Sequence, residues 1–135
     1  MEITLDVAQK ISQACQKKAK DMGIPMTIAV MDAGANLVLL ERMPGAILAG
    51  IAVAQDKAYS AAATTFDTHQ LAQISQPGQV AFGLANTDHG RMIIFAGGLV
   101  LRDGKKAVGG IGVSGGLANQ DQEVAQAGVD AFLAL

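Results

Sequence analysis

The chain has 135 residues, of which half are apolar and 16% are charged, and its formal net charge is −2. This length predicts one domain that spans residues 1–135. A near-neutral chain whose basic residues are scattered lacks the basic surface that nucleic-acid binding requires. No uncharged apolar run is long enough to cross a bilayer, which argues against a membrane protein.

Cysteine content and the first residues bear on the cellular compartment. The single cysteine, Cys15, cannot form an internal disulfide, and a lone thiol is ordinary in a reducing compartment. Met1–Leu5 lacks the basic region with which a secretory signal begins. We therefore expect a cytoplasmic protein. The surplus of small apolar residues also predicts buried subunit interfaces, and hence a homo-oligomer.

The first half of the chain predicts two helices on either side of a β-hairpin. One helix runs from an N-cap at Thr4 to a glycine stop at Gly23. Strands are predicted over Thr27–Met31 and Leu37–Met43, separated by turn-forming residues. The Ala-rich segment Ala46–Thr64 has the length and composition of a second helix.

The second half predicts a short helix, three strands and a last helix. Thr68 caps the short helix, and Asn119 with Gln122 forms a capping box for the last one. The last two strands are joined by an Asp-Gly turn, a strong hairpin signal. The predicted strands are Met92–Phe95, Leu99–Arg102 and Lys106–Val113.

This order of elements indicates the fold class. Tight turns between consecutive strands imply antiparallel pairing, which differs from an alternating βαβ chain. We predict an α/β protein of the α+β type, with an antiparallel five-stranded sheet and helices on its faces.

Gly110–Gly115 matches the G-x-G-x-x-G spacing of dinucleotide-binding proteins. That fingerprint opens a helix inside a βαβ unit. Here the glycines begin within a predicted strand, and only one helix follows them. We therefore reject a Rossmann interpretation.

The end of the same run, Ser114-Gly115-Gly116, lies between a strand and a helix. Exposed N–H groups and the helix dipole favour an anion at such a position, and glycine lets a carboxylate approach the backbone closely. Two interpretations stay open. The segment is either a carboxylate-binding loop or a sharp turn that needs glycine for tight packing.

His69 and His89 are the two imidazoles that could ligate a metal or exchange protons near neutral pH. His89 lies in a polar loop, where functional residues are common, and His69 lies in the first turn of the short helix. Two histidines without a cysteine cluster do not form a zinc signature. Met43 is a further candidate haem ligand, or a residue of the core.

Lys57 and the adjacent Asp56 are the only charges in the Ala-rich segment. Lys57 could pair with Asp32 or Glu41 of the hairpin, hold an anionic ligand, or belong to a solvated ion pair. Together with Asp32 and His89, it could also supply acid–base groups to an enzyme. No catalytic triad is recognisable.

Several segments in one order resemble the GlcG/HbpS-like family, which also occurs as the C-terminal domain of PduO-type corrinoid adenosyltransferases. The resemblance implies a profilin-like α/β/α sandwich, homo-oligomers, and binding of haem or a corrinoid. Some members occur with glycolate, glycerol or diol utilisation systems. The segments that carry the resemblance are Thr27–Asp32, Gly34–Leu37, Arg42–Met43, Ala54–Ala58, Phe95–Gly98, Gly109–Gly116, Gln120–Asp121 and Val124–Ala125.

The leading hypothesis is a binding module for haem, a corrinoid or a similar anionic cofactor, with the glycine loop holding a carboxylate such as a propionate. The alternatives are an enzyme acting on a small carbonyl or hydroxy-acid metabolite, and a non-catalytic partner of a cofactor-dependent dehydratase in diol or glycerol utilisation. His89 or His69 is the candidate haem ligand. The candidate cofactor-binding residues are Asp32, Arg42, Lys57, His89, Ser114, Gly115 and Gly116.

Overall fold

A computed structural model describes all 135 residues as four helices and four strands, with two 3-10 turns in the long connection before the third strand. The elements, in chain order, are α1 (Leu5–Met22), β1 (Thr27–Asp32), β2 (Leu37–Arg42), α2 (Gly50–Thr64), α3 (Thr68–Ile74), the 3-10 turns Leu84–Asn86 and Asp88–Gly90, β3 (Gly98–Asp103), β4 (Lys106–Ser114) and α4 (Ala118–Leu133).

The strands form one sheet in the order β2-β1-β4-β3, and every neighbouring pair is antiparallel. The predicted α+β class and antiparallel pairing are therefore confirmed. Gly104 has a φ of 62° in the turn between β3 and β4. This is the left-handed conformation that the Asp-Gly hairpin signal anticipates.

The sheet has four strands, so the prediction of a fifth over Met92–Phe95 is wrong. The N–H of Ile93 donates to Ser60 Oγ at 2.9 Å, and the C=O of Arg91 lies 3.0 Å from the same hydroxyl. Because a side chain of α2 satisfies these backbone groups, the segment runs along a helix and does not join the sheet. A short apolar run does not reveal this difference.

The predicted ends of α1 are confirmed. Thr4 Oγ1 accepts a hydrogen bond from the Val7 N–H at 3.2 Å, and Gly23 closes the helix with a φ of 71°. The predicted start of α2 at Ala46 is wrong, since residues 46–49 lie outside the helix, which begins at Gly50.

Two predicted N-caps are wrong by one or two residues. Asp67 precedes α3, and the Thr68 hydroxyl instead accepts the N–H of Gly98 at 2.9 Å. Leu117 precedes α4, and its N–H donates to Gln120 rather than forming a box with Asn119. A tertiary contact therefore takes the Thr68 hydroxyl, which local capping rules assign to the helix end.

The helices pack on both faces of the sheet. α1 and α4 contact each other and one face, where they bury the main core around Ile11, Ile28, Ile111 and Val124. α2 covers the opposite face through a small cluster that includes Ala54, Ala58 and Met31. None of the helices combines the length and apolar character needed to cross a membrane.

The glycines of β4 allow α2 to lie unusually close to the sheet. A Cβ on Gly112 would lie 2.0 Å from the carbonyl oxygen of Ala54, and one on Gly110 would lie 2.5 Å from that of Ala58. The strand therefore meets the helix backbone directly. This packing accounts for the first two glycines of the G-x-G-x-x-G pattern, while a Cβ on Gly115 would lie 2.7 Å from the Pro25 carbonyl oxygen. The antiparallel sheet confirms that no Rossmann unit exists.

We expect Gly112→Ala to lower the free energy of unfolding by about 1–3 kcal/mol or more, because the added methyl group forces α2 away from β4. Denaturation in urea measures the change. Gly50→Ala is the matched control, since its Cβ would meet neighbours only at ordinary contact distances of 3.4 Å and beyond. Equal stability of the two variants would contradict this account of the packing.

Candidate functional site

Lys57 projects from α2 toward the sheet and is completely buried. Its Nζ donates to the carbonyl oxygen of Val113 at 2.8 Å and to Asp121 Oδ2 at 2.9 Å. Burial lowers the pKa of Lys57 and raises the pKa of Asp121, because each charge has lost water, while their mutual attraction opposes both shifts. The pair joins α2, β4 and α4 in the interior.

Asp121 also engages the glycine loop. Its Oδ1 accepts the N–H of Gly116 at 2.8 Å. The carboxylate at this loop is therefore the chain's own, and an external carboxylate would compete with it for the Gly116 N–H. Lys57 pairs with neither Asp32 nor Glu41, the two partners considered from the sequence.

Phe95 and Gly97 close over the Lys57–Asp121 pair. The Phe95 ring centroid lies 5.1 Å from Lys57 Nζ, and a Cβ on Gly97 would lie 2.5 Å from that nitrogen. Gly97 has a φ of 121°, a backbone conformation that side chains disfavour. Glycine is thus required at 97 on two grounds.

His69 reaches the same region through Gln122. Gln122 Oε1 accepts the N–H of Gly97 at 3.0 Å, and its Nε2 lies 3.4 Å from His69 Nδ1. Sequence reasoning assigned no site role to Asp121 or Gln122. The sequence signal for them was the polar run Gln120–Gln122, which begins four residues after Gly116. The resemblance included only its first two residues, Gln120 and Asp121.

Asp32 lies away from this region. Val113 pairs with Ile28, whereas Asp32 pairs with Gly109. These positions are four residues apart on β4, or about 13 Å at strand spacing. Asp32 Oδ1 accepts the N–H groups of Gly34 and Asn36 at 3.0 and 2.9 Å, which shapes the hairpin turn. The structure therefore does not bring Asp32 and Lys57 together as an acid–base pair.

His89 is exposed in the middle of an unusual turn. Asp88, His89 and Gly90 have φ values of 49°, 56° and 79°, so three consecutive residues are left-handed. Each of the two non-glycine residues costs about 1–2 kcal/mol in this conformation. Strain of this kind persists where the surroundings impose it, and it is common at functional sites.

The turn around His89 is anchored to the outer side of α2. Arg91 Nε lies 3.0 Å from Asp56 Oδ1, and the guanidinium stacks 3.6 Å from the centroid of the Tyr59 ring. Interaction of the Tyr59 hydroxyl with the nearby Asp88 carboxylate raises the pKa of Tyr59. Arg91, which follows the His89–Gly90 pair, is thus held against α2.

The surroundings of three further side chains, Arg42, Met43 and Cys15, determine whether each could bind a ligand. Arg42 is exposed at the end of β2, in register with Thr27 of β1. Met43 is 9% exposed and its sulfur lies 3.5 Å from the Met26 nitrogen, a core position. Burial raises the pKa of Cys15 to about 12, which keeps the thiol protonated and unreactive. No group of three or more His, Cys, Asp or Glu side chains is arranged to hold a metal ion.

We expect Asp121→Asn to destabilise the protein by about 3–5 kcal/mol, because it leaves the Lys57 ammonium buried without a counter-charge. The double variant Lys57→Met/Asp121→Asn removes both charges and should recover much of that loss. Denaturant unfolding measures both. If the free energy of unfolding of Asp121→Asn lay within about 1 kcal/mol of the wild-type value, the ion pair would not have the structural role given to it here.

Comparisons with known proteins show the family. The model of the haem degrading protein HbpS-like family matches residues 3–130. A relative from Citrobacter freundii, an uncharacterised 15.0 kDa protein in the dhaT-dhaS intergenic region, is 37% identical over 130 residues, which are 96% of this chain and 92% of that protein.

Two crystal structures share the fold closely. Protein ORFY of Klebsiella pneumoniae superposes with a TM-score of 0.97 at 38% identity, over 100% of this chain and 94% of that one. The PduOC:heme complex superposes with a TM-score of 0.93 at 30% identity, over 97% and 95% of the two chains. The chain belongs to the HbpS-like family.

Proposed function

We propose that this protein is a haem-binding module. The observation that carries the proposal is the exposed imidazole of His89, on a turn that Arg91 anchors to α2. Membership of a haem-related family, and the likeness to the PduOC:heme complex, support haem as the ligand class.

The residues present fit this ligand. A neutral imidazole is a common axial ligand of haem iron, and it needs an unengaged ring nitrogen. Both histidines retain such a nitrogen, since His69 contacts Gln122 only through Nδ1, but His89 is the more exposed of the two. The connection that carries His89 also exposes Val80 at 95% and Phe82 at 69%, apolar surface suited to a flat macrocycle.

The alternative enzyme hypothesis receives no comparable support. It requires Lys57, Asp32 and His89 to meet in one pocket. Lys57 is fully buried in an ion pair, Asp32 lies about 13 Å along the sheet, and His89 is exposed on the outer side of α2.

Exposed apolar side chains support the further proposal that copies of the chain associate. Besides Val80 and Phe82, Leu48 is 77% and Leu117 is 67% exposed. Exposed apolar side chains mark interaction surfaces where several of them lie together. We expect light scattering on the protein as it elutes from a size-exclusion column to give a mass that is a multiple of the 13.8 kDa chain mass. A mass of 13.8 kDa at all concentrations would contradict association.

Titration with hemin, followed by absorption, tests haem binding. We expect a saturable Soret shift with the wild type, and at least about tenfold weaker binding with His89→Ala, because the iron loses its protein ligand. His69→Ala is the matched control and should bind as the wild type does. A parallel titration with cobalamin tests the corrinoid interpretation.

The outcomes separate the parts of the proposal. No saturable spectral change with hemin would overturn haem binding itself. A loss of binding in His69→Ala, with His89→Ala unchanged, would instead transfer the ligand role to His69.

A further inference from the structure

The two edges of the sheet differ in what covers them. Along β3, the N–H of Gly98 donates to Thr68 Oγ1 and the N–H of Val100 donates to Asp67 Oδ1, both at 2.9 Å. Polar side chains at the start of α3 therefore satisfy the N–H groups of β3 that face away from β4. An edge that is covered in this way cannot pair with a further strand.

Strand β2 forms the opposite edge, and its outward backbone groups have no partner within the chain. Met43 follows β2, and its N–H donates to the Met26 carbonyl at 3.0 Å, so Met43 faces the β1 side. Because alternate residues of an antiparallel strand face the same neighbour, Glu41 also faces β1, whereas Leu40 and Arg42 face outward. Strand β2 pairs only with β1, and no turn or loop backbone bonds to these outward groups.

No other helix or strand lies against this edge. The neighbours of β2 are β1 beside it and the helices α1 and α2 on its two faces. The one side-chain hydrogen bond of a β2 residue joins Glu41 Oε1 to Gln16 of α1, and so lies on a face of the sheet. The edge is therefore open to a strand from outside the chain.

Most of the side chains along this edge are apolar. Leu37 is 48% exposed, and Val38 and Leu40 are partly exposed. Leu40 pairs with Ala29 and packs beside the cluster that α2 covers, so its exposed part borders the helix. The strand contains no proline to block pairing. An open edge of this composition is a surface on which another strand can pair.

The sequence of β2 allows one regular register for pairing with its own copy. Directly opposed residues of antiparallel strands share a face of the sheet, so a twofold axis must pass through a residue. An axis at Glu41 or Arg42 would oppose like charges, which destabilises the pair. An axis at Leu39 would bring Val38, which a bulge leaves unpaired on β1, opposite Leu40. An axis at Leu40 opposes two leucines and aligns their outward N–H and C=O groups.

We propose that β2 pairs antiparallel with β2 of a second copy, on a twofold axis at Leu40. The pairing joins two four-stranded sheets into one continuous sheet. Each Leu40 N–H donates to the carbonyl of the partner's Leu40, and the two leucine side chains meet on the face that α2 covers. The inference rests on the association proposed above, and it names the surface that produces it.

Disulfide formation by Leu40→Cys tests this register in the haem-free protein. Opposed residues of a hydrogen-bonded pair have Cα atoms about 5.5 Å apart, a separation that a disulfide spans. We expect a covalent dimer in a glutathione redox buffer, seen on a non-reducing gel. The native Cys15 gives little background, because it is buried and its pKa is raised to about 12.

Glu41→Cys is the matched control. Residue 41 is more exposed than residue 40, but its two copies would lie diagonally, about 7–8 Å apart, which is too far for an unstrained disulfide. Leu40→Cys should therefore cross-link at least about tenfold faster than Glu41→Cys. Equal rates would show collision between exposed thiols and would overturn the proposal.

Hydrogen exchange of the Leu40 amide in the wild-type chain gives a second test that needs no substitution. The outward N–H of Leu40 exchanges with solvent in a single chain, whereas pairing protects it. We expect the protection to follow the mass from light scattering: strong where that mass is a multiple of 13.8 kDa, and lost where dilution brings it to 13.8 kDa.

The outcomes separate this surface from the proposals on which it builds. Association without protection of Leu40 would overturn the β2 surface and leave association standing. Protection of Leu40 in a single chain would mean that something other than a second copy closes the edge, and would also overturn it. A mass of 13.8 kDa at every concentration would overturn both. The hemin titration is unaffected by any of these results, since no haem is present.

Discussion

Helix α2 and strand β4 pack backbone to backbone, and the rest of the structure depends on this contact. Gly110 and Gly112 leave no room for a side chain between the strand and Ala54 or Ala58. A helix that packs this close to a sheet is fixed both in its distance from the sheet and in its position along the strand. The position of every functional side chain on α2 follows from that.

The contact explains the placement of the charged interior. Because α2 lies so close to β4, the Lys57 side chain does not reach solvent. It extends along the strand to the Val113 carbonyl and Asp121. Asp121 in turn holds Gly116 and so the start of α4. A buried pair of this kind adds little net stability but makes one arrangement of the helices much better than others, which is our hypothesis for its role here.

The two sides of α2 have different roles in the structure. The side toward the sheet carries Lys57, whose partner Asp121 also holds the Gly116 N–H before α4. The outer side anchors the strained turn that exposes His89. One helix thus positions both the buried ion pair and the turn that carries His89, and neither the haem-related family nor the fold alone locates them.

The sequence by itself determined the helices, the two hairpins, the antiparallel class and the family, since caps, turns and periodicity act between near neighbours. The tertiary structure alone decided that Met92–Phe95 binds a helix, that Lys57 pairs with Asp121 rather than Asp32 or Glu41, and that Thr27 stands unpaired between Arg42 and Ser114. Each of these depends on the strand order and on the distance of α2 from the sheet. The strand order brings together residues as many as 87 positions apart, from Thr27 to Ser114, and no local rule specifies such pairs.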